Sequence, residues 1–444
     1  MRTSGEEQAR YEAATPRSRA LYEEAQHYLP GGESRTSTYW PPYPLTIARG
    51  EGCRVWDADG VCRLDFFNNF TTLALGHNHP AVARAVQEQL HDGTSFFGAT
   101  EHQVRLARML CERIPSLQQV RFTNSGTEAT LNAVRAARAF TNRAKVAKCE
   151  GGYHGTHEAL AVSTPPPLAL VGRPDRPAQV PADPGLPQSV VDNVVVLPFN
   201  NVEAARRLIV EHHEELAAVI VEPVLGTGGM IPATREFLAM LRAVTTQHGI
   251  VLVFDEVVTF LVGPGGAQEH YGVTPDMTTL GKLIGGGMPV GAFGGRRDIM
   301  ALYDQSRDGP HLGHAGTFNG HPLAMVAGAA VLEHLTPQVY QRLNGLGEEV
   351  RKRINALGRE LEAPVQATGL GSLFAIHLTD RPVRNYRDAA AVDEGLRLRV
   401  FLGLMNEGVY LSPKLLGCLS TAIGEAEVDQ FMAALRRVLL RNMK

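Results

Sequence analysis

Lysine, paired cysteines, tryptophan and long apolar runs are all scarce in this chain, and neither sign of charge dominates. Its 444 residues include six lysines, five cysteines and two tryptophans, and its net charge is −3. No stretch approaches the roughly 20 apolar residues that a helix needs to cross a bilayer. No basic block is present that would follow the phosphates of a nucleic acid. The sequence therefore predicts neither a membrane protein nor a nucleic-acid-binding protein.

The cysteines form no C-x-x-C pair, and their odd number does not suit a disulfide framework. This pattern is typical of free thiols in a reducing compartment. The polar, charged segment from Met1 to Arg19 does not resemble a signal peptide. Together these features predict a cytoplasmic protein. The histidines are scattered and have no cysteine or carboxylate at ligand spacing, so no metal site is predicted.

Hydrophobic periodicity indicates an α/β fold. Helical segments alternate with apolar strands from about residue 80 to 325, and several strands are apolar at consecutive positions. Such strands are buried on both faces, which predicts a parallel sheet between two layers of helices. The predicted strands cover 120–123, 145–149, 194–197, 218–222, 250–255 and the short segment before Lys282.

The chain is predicted to divide into three regions. Residues 1–65 form an N-terminal segment, with a solvated helix over 5–29 and a hairpin that turns near Asp59 and Gly60. Residues 66–325 form the large domain, and residues 326–444 form a smaller α/β domain. Within the large domain, residues 164–189 contain eight prolines. This segment is interpreted either as a stiff surface excursion or as a lid over a site.

Lys282 is the residue most suited to covalent chemistry. It follows a strand-like segment and shortly precedes three consecutive glycines. An amine that forms a Schiff base needs a lowered pKa and room for a planar ligand, which burial and glycine backbone supply. Asp255 ends an apolar strand upstream, where its carboxylate can pair with a ring nitrogen. The two residues together predict a pyridoxal phosphate site.

Several further residues are candidates for holding such a cofactor. A strand that runs into Ser125, Gly126 and Thr127 before a helix predicts an anion cup, although these residue types are also ordinary helix caps. Neither a dinucleotide fingerprint nor a P-loop is present. The other candidates are two aromatic rings after a strand, a carboxylate at the end of a buried strand and a hydroxyl beside a glycine: Tyr153 and His154, Glu222, and Thr317.

These segments, in this order, resemble the fold-type I, class III aminotransferases, and most of all their glutamate-1-semialdehyde 2,1-aminomutase branch. The resemblance covers nearly the whole chain and is carried by blocks at 30–32, 75–80, 124–130, 152–155, 255–257 and 280–297. It implies a large domain with a mostly parallel seven-stranded sheet. It also implies a smaller domain built from the N- and C-terminal parts.

The resemblance assigns roles at a pyridoxal 5'-phosphate site. It implies that Lys282 holds the cofactor and shuttles a proton, and that Asp255 pairs with the ring nitrogen. Val257 packs on the ring face opposite Tyr153. The phosphate is held by Ser125, Gly126 and Thr127. In this family a threonine that matches Thr317 reaches the phosphate of the neighbouring subunit, so the resemblance implies a homodimer with shared sites.

The expected substrate residues differ from those of the mutases. Arg35 stands three positions earlier than the mutase arginine, and Lys414 and two leucines follow Pro413 where mutases have a nearby glutamate. The segment around Arg35 looks more like the β-amino acid (β-phenylalanine type) aminotransferases, whose arginine grips a carboxylate. Tyr39, Trp40 and Phe97 are expected to line an apolar side pocket, and Lys414 to add charge.

The resulting hypothesis is a transaminase that moves the amino group of a β-amino acid, or a related amine, to 2-oxoglutarate or pyruvate. Two rivals stay open. One is the mutase, or a racemase that uses the same intermediates without a second substrate. The other is a catalytically silent relative, which would be free to lose the lysine that this chain retains.

Overall fold

The computed structural model describes residues 5–443. Within that range, no helix is both long and apolar enough to span a membrane. The strands are β1 Ile47–Glu51, β2 Arg54–Asp57, β3 Cys62–Asp65, β4 Gln119–Thr123, β5 Lys145–Cys149, β6 Gly172–Arg173, β7 Arg176–Pro177, β8 Val194–Leu197, β9 Leu216–Val221, β10 Val224–Leu225, β11 Ile231–Pro232, β12 Val251–Asp255, β13 Met277–Gly281, β14 Gly291–Gly295, β15 Gln366–Thr368, β16 Leu373–His377, β17 Val409–Tyr410 and β18 Leu416–Cys418.

Helices cover both faces of the largest sheet and build most of the C-terminal part. They are α1 Glu6–Ala14, α2 Pro16–Ala25, α3 Asn68–Thr71, α4 Pro80–Asp92, α5 Glu101–Arg113, α6 Gly126–Thr141, α7 Gln188–Val191, α8 Val202–Glu211, α9 Arg235–His248, α10 Gly266–Tyr271, α11 Arg297–Met300, α12 Pro322–His334, α13 Pro337–Glu360, α14 Tyr386–Ala390, α15 Glu394–Asn406 and α16 Glu425–Asn442.

The central sheet has seven strands in the order β4-β14-β13-β12-β9-β5-β8. Only β14 runs antiparallel to its neighbours, and the other pairs are parallel. The prediction of a mostly parallel seven-stranded sheet is therefore confirmed. The residues of β5, β9, β12 and β13 are buried almost throughout, as expected for strands covered on both faces.

Strand β14 has no apolar signature and was not among the strands predicted from the sequence. It reads Gly-Ala-Phe-Gly-Gly because the neighbouring backbone comes too close for side chains. A Cβ added to Gly291 would lie 2.0 Å from the Ser125 carbonyl oxygen, and one added to Gly294 would lie 2.3 Å from that of Gln119. Packing against β4 therefore demands glycine and removes the β-branched signal on which strand prediction depends.

The two ends of the chain meet in one small sheet. Strands β1, β2 and β3 form an antiparallel meander, and β17 from the C-terminal part pairs with β3 in parallel. A second small sheet, β15-β16-β18, lies wholly within the C-terminal part. The hairpin predicted near Gly60 is present between β2 and β3. The division at residues 65 and 325 stays a prediction.

The N-terminal helical region differs from the single solvated helix predicted over 5–29. It consists of α1 and α2, which are separated at Thr15 because Pro16 starts the second helix. Tyr11 is fully buried, and its hydroxyl donates to the Tyr43 carbonyl oxygen at 2.9 Å. α1 therefore packs one side onto the core through Tyr11, while most residues of the two helices are exposed, as the sequence predicted.

The proline-rich segment 164–189 is tied to the C-terminal part of the chain. The Tyr386 hydroxyl donates to the Pro166 carbonyl oxygen at 2.5 Å, and the Arg387 guanidinium donates to the Val171 carbonyl oxygen at 2.8 Å. Arg387 also pairs with the buried Glu150 at 2.7 Å. These contacts favour the stiff surface excursion over the lid.

Candidate active site

Lys282 lies directly after β13, at the carboxyl edge of the central sheet. Its backbone adopts a left-handed conformation with φ of 48°, and its side chain is partly buried. Burial lowers the pKa of this amine, against the opposing effect of Asp255 and Glu222. The Nζ atom lies 5.6 Å from the centroid of the Phe70 ring. An amine with a lowered pKa is suited to act as nucleophile and base.

Asp255 ends β12, next to β13, so the sheet brings it to the same edge as Lys282. Its side chain is 4% exposed. The Oδ1 atom accepts hydrogen bonds from the Thr279 hydroxyl at 3.1 Å and the Val257 N–H at 3.2 Å. The Oδ2 atom lies 2.8 Å from Nδ1 of His154.

His154 supports Asp255 without neutralising it. This imidazole is buried, and burial lowers its pKa despite the hydrogen bond from Nδ1 to Asp255. A neutral imidazole leaves the negative charge of Asp255 unpaired in a buried place, which is costly unless a cation lies in front of it. A protonated ring nitrogen is such a cation. His154 thus binds Asp255 through the edge of its ring, and its role in binding the cofactor stays a prediction.

The anion cup is formed where α6 begins. Ser125 caps this helix, and its hydroxyl oxygen accepts from the Glu128 N–H at 3.2 Å. The N–H groups of Gly126 and Thr127 belong to the first turn and have no partner within the helix. The Thr127 hydroxyl oxygen accepts from the Thr156 N–H at 3.3 Å. These donors suit a phosphate dianion at the positive end of the helix dipole.

Glycine lets Val257 pack directly against the backbone at the start of α6 and at the end of β13. A Cβ added to Gly126 would lie 3.2 Å from the methyl groups of Val257, and one added to Gly281 would lie 3.3 Å from them. Val257 thus presents an apolar surface and packs against the backbone of Gly126 and Gly281. A flat aromatic ring with a phosphate at one end and a protonated nitrogen at the other fits these residues.

Tyr153 and Glu222 lie beside this space. Tyr153 is 38% exposed, and its backbone N–H donates to Oε2 of Glu222 at 2.9 Å. Oε1 of Glu222 accepts from the Gly226 N–H at 3.2 Å. Burial and, second, the charge of Asp255 raise the pKa of Glu222 to about 8. Glu222 therefore holds a proton near neutrality and fixes the turn that carries Tyr153.

Lys148 is a second contributor to this turn that sequence reasoning missed. It is fully buried in β5, and its Nζ donates to the carbonyl oxygens of Gly152 at 2.8 Å and Leu160 at 2.9 Å, and to the Thr164 hydroxyl at 2.8 Å. Three acceptors use all three donors of an ammonium group. No sequence signal distinguishes it from any other strand lysine.

The raised pKa of Glu222 predicts a specific dependence of stability on pH. The folded chain keeps this proton up to about pH 8, whereas the unfolded chain loses it near the ordinary value of 4.5. Stability from this group is therefore complete below pH 4.5 and declines as pH rises to 8, by at most about 1.4 kcal/mol per pH unit. Glu222→Gln is expected to flatten this decline in melting temperature measured from pH 5 to 8.

The exposed Glu349 provides the matched control for this experiment. Glu349→Gln is expected to leave the slope of melting temperature against pH as in the parent chain. Equal slopes for the parent and the Glu222→Gln chain would contradict the raised pKa.

The five predicted substrate residues are not brought together in one chain. Arg35 is exposed, and its guanidinium donates to Oδ1 of Asn69 at 3.1 Å, one residue before Phe70, whose ring centroid lies 5.6 Å from Lys282 Nζ. Tyr39 is 48% exposed, and its ring centroid lies 6.5 Å from that of Tyr22. Phe97 is fully exposed. Only Arg35 is therefore placed beside the catalytic residues.

Two of the substrate expectations need correction. Trp40 is 4% exposed, its indole N–H donates to the Tyr11 hydroxyl at 3.2 Å, and its ring packs edge-on against Phe401. It is a core residue because its polar edge is satisfied inside the protein. Lys414 lines a cavity of about 180 Å³ that also includes Arg397, and neither Lys282 nor Asp255 lines it.

Thr317 lies in an exposed loop after β14. The neighbouring Asn319 side-chain oxygen accepts from the Asn124 amide at 3.1 Å, which fixes the loop near the anion cup. The structure also adds Phe70 and Thr279 to the site. Thr279 lies within a buried strand, and Phe70 in a turn whose geometry is not visible in the sequence.

Comparison with known proteins identifies the family. The model of the aminotransferase class-III family matches residues 37–439. The chain belongs to the class-III aminotransferases. It is 43% identical to the β-phenylalanine transaminase of Variovorax paradoxus, over 96% of this chain and 93% of the relative. It is 40% identical to a glutamate-1-semialdehyde 2,1-aminomutase of Methanothermobacter thermautotrophicus, over 95% of this chain and 99% of the relative.

Solved structures of the family superpose closely on this one. An omega-transaminase from Sphaerobacter thermophilus has a TM-score of 0.93 and 46% identity, and the match covers 96% of this chain and 98% of the other. A further transaminase, 38% identical with a TM-score of 0.89, was solved with PLP bound; the match covers 97% of this chain and 99% of that one. These findings confirm the fold-type I architecture and the expectation of pyridoxal phosphate as cofactor.

Proposed function

We propose that this chain is a pyridoxal phosphate-dependent aminotransferase that moves the amino group of a β-amino acid, aromatic or aliphatic, to a keto acid such as 2-oxoglutarate or pyruvate. The observation that carries the substrate class is Arg35, whose guanidinium binds the Asn69 side chain next to Phe70, the residue whose ring lies 5.6 Å from Lys282 Nζ, and forms no ion pair with a carboxylate among residues 5–443. The transaminase and omega-transaminase relatives support the reaction type.

Each catalytic residue has a defined task at one atom. When bound, the cofactor supplies an aldehyde that takes up the donor amine and a ring that withdraws electrons. Lys282 Nζ would hold the cofactor covalently and would act as the base that moves a proton at the amine-bearing carbon of the donor. Asp255 keeps the ring nitrogen protonated. Arg35 holds the donor carboxylate by paired hydrogen bonds.

The supporting residues keep the cofactor in place. The first turn of α6, with Ser125, Gly126 and Thr127, would hold the phosphate. Val257 would pack on one ring face and Tyr153 on the other, with Glu222 fixing the turn that carries Tyr153.

A half-reaction tests the proposed function. The purified protein is mixed with 3-amino-3-phenylpropanoate without acceptor, and the visible cofactor band is followed. We expect the band to bleach and 2-oxoglutarate to restore it. A band that persists with this donor, but responds to glutamate semialdehyde or a simple amine, would contradict the substrate class while leaving the reaction type intact.

The second candidate function is the aminomutase, favoured by the 40% identity to a member of that group. A mutase, or a racemase, needs no second substrate because the amino group returns to the same molecule. Turnover of the donor should therefore be independent of added keto acid. Strict dependence on the keto acid, measured with dialysed protein, excludes both.

Arg35→Ala tests the carboxylate clamp. The change removes a charged hydrogen-bond donor, and such bonds contribute about 1.5–3 kcal/mol. The KM for 3-amino-3-phenylpropanoate is expected to rise roughly 10- to 100-fold, with little change for 1-phenylethylamine, which has no carboxylate. Arg49→Ala, at an exposed arginine of β1 whose guanidinium lies 3.6 Å from the Trp56 ring centroid, is the matched control. Equal losses for both donors would contradict the clamp.

We further propose a cytoplasmic homodimer with shared sites. Five free cysteines agree with a reducing compartment. The exposed Phe97 and the 55% exposed Phe318, which is next to Thr317, are large apolar side chains of the kind buried between subunits. Light scattering is expected to give twice the chain mass of 48.1 kDa. A monomer that retains full activity would contradict shared sites.

A further inference from the structure

The segment α3, Asn68–Thr71, which lies between β3 and α4, is a left-handed turn and not a right-handed α-helix. Four consecutive non-glycine residues are left-handed: Asn68, Asn69, Phe70 and Thr71 have φ of 51°, 47°, 59° and 70°. Asparagine adopts this conformation more readily than other residues, but phenylalanine and threonine are penalised in it because Cβ approaches the following carbonyl oxygen. The turn is therefore strained, and its neighbours must hold it.

Hydrogen bonds from two directions fix the turn. The Oδ1 atom of the buried Asp65 accepts from the N–H groups of Phe67 and Asn68, both at 2.8 Å. The Asn68 side-chain amide donates to the Cys418 carbonyl oxygen at 3.0 Å. A strained conformation that is held so firmly points to a functional requirement.

The turn contacts the two residues that face the donor. Oδ1 of Asn69 accepts from the Arg35 guanidinium at 3.1 Å. The Phe70 ring lies next to Lys282 Nζ. One rigid turn thus sets the position of the guanidinium relative to the catalytic amine.

The partner of Arg35 is neutral, and this matters for binding. Among residues 5–443 the guanidinium of Arg35 forms no ion pair, and the nearby Glu33 accepts from the Thr38 hydroxyl at 2.9 Å instead. An amide oxygen orients a guanidinium by one hydrogen bond and leaves its full charge for another anion. A carboxylate at position 69 would compete with the substrate for that charge.

We propose that Asn69 is a positioning residue that aims Arg35 at the carboxylate of the donor, and that the left-handed turn 68–71 exists to place it. This inference rests on the proposed function and deepens it. Asparagine satisfies two demands at this position, because it tolerates the left-handed backbone and offers a neutral acceptor. Glycine meets the first demand alone, and alanine meets neither.

Asn69→Gly and Asn69→Ala separate positioning from backbone strain. The measured quantity is the inhibition constant of 3-phenylpropanoate, which has the carboxylate but no amine. The reaction that it inhibits is the turnover of 1-phenylethylamine, which has an amine but no carboxylate. Both variants are expected to weaken this inhibition about tenfold, the loss of one hydrogen bond to a charged group. The KM for 1-phenylethylamine should change far less. Only Asn69→Ala should lower the melting temperature, because glycine accepts the left-handed backbone.

Combination with Arg35→Ala shows whether Asn69 acts through Arg35. The double variant Arg35→Ala with Asn69→Gly is expected to have the same inhibition constant as Arg35→Ala alone. Unchanged inhibition in Asn69→Gly, additive effects in the double variant, or equal losses for the amine and the carboxylate would each overturn the proposal.

The inhibition constant also separates failure of the proposed substrate class from failure of the positioning role of Asn69. A parent protein that fails to convert 3-amino-3-phenylpropanoate, yet shows carboxylate inhibition sensitive to both Arg35 and Asn69, would overturn the proposed substrate and support the positioning role. Conversion of that donor with inhibition insensitive to Asn69 would support the substrate and overturn the positioning role.

Discussion

Lys282→Ala is expected to lower turnover by at least about 10³-fold with any donor. The change removes both the amine that attaches the cofactor and the base that moves the proton. Burial lowers the pKa of Lys282, which favours the unprotonated amine that both tasks require. Steady-state rates and the visible spectrum measure the effect, and the band of the lysine-bound cofactor should vanish with the rate.

Lys352→Ala provides the control, since this exposed lysine forms a surface pair with Glu348 at 2.7 Å. Its turnover and spectrum should equal those of the parent protein, because surface pairs contribute little to stability. Full turnover by the Lys282→Ala protein would contradict the catalytic role of Lys282.

Asp255→Asn is expected to lower kcat by about 10²- to 10³-fold, the usual effect of deleting one electrostatic stabiliser of a transition state. An amide keeps the size of the side chain but lacks the charge that favours a protonated ring nitrogen. The neutral His154 cannot supply that charge. Steady-state kinetics with saturating cofactor measure the effect, and Asp255→Glu should recover part of it.

Asp276→Asn is the matched comparison for Asp255, because Asp276 is another buried carboxylate of the central sheet. It pairs with Arg242 and Arg296, both at 3.0 Å. Because Arg242 and Arg296 are partly exposed, breaking the two pairs should reduce the free energy of unfolding by only about 1–2 kcal/mol while the folded enzyme retains kcat. Loss of kcat in Asp276→Asn equal to that in Asp255→Asn would show that the effect reflects folding.

The apolar periodicity predicted most of the central sheet, because buried parallel strands are apolar at every position. β5 and β8 were predicted with the bounds that the structure shows. The predictions failed where tertiary contacts override local pattern. β14 is glycine-rich because β4 packs against it, and the helix predicted over 5–29 divides at Pro16.

In the candidate site, too, only residues with a local sequence signal could be predicted. Lys282, Asp255 and the start of α6 were found because strand ends and helix starts carry local signals. Trp40 was wrongly predicted to line a pocket, because the sequence does not distinguish an aromatic residue of the core from one that lines a pocket. The contact between His154 and Asp255 could not be predicted, because it joins residues 101 positions apart and no local pattern reports such a contact.

The sequence by itself determined the fold class and the cofactor and predicted the lysine proposed to hold it, since these depend on periodicity and on motifs of adjacent residues. Only the tertiary structure decided which charges stay unpaired. It placed a neutral His154 behind Asp255, raised the pKa of Glu222 by burial and gave Arg35 the amide of Asn69 as its partner. The protonation and pairing of a side chain depend on residues that the fold brings together from distant parts of the chain.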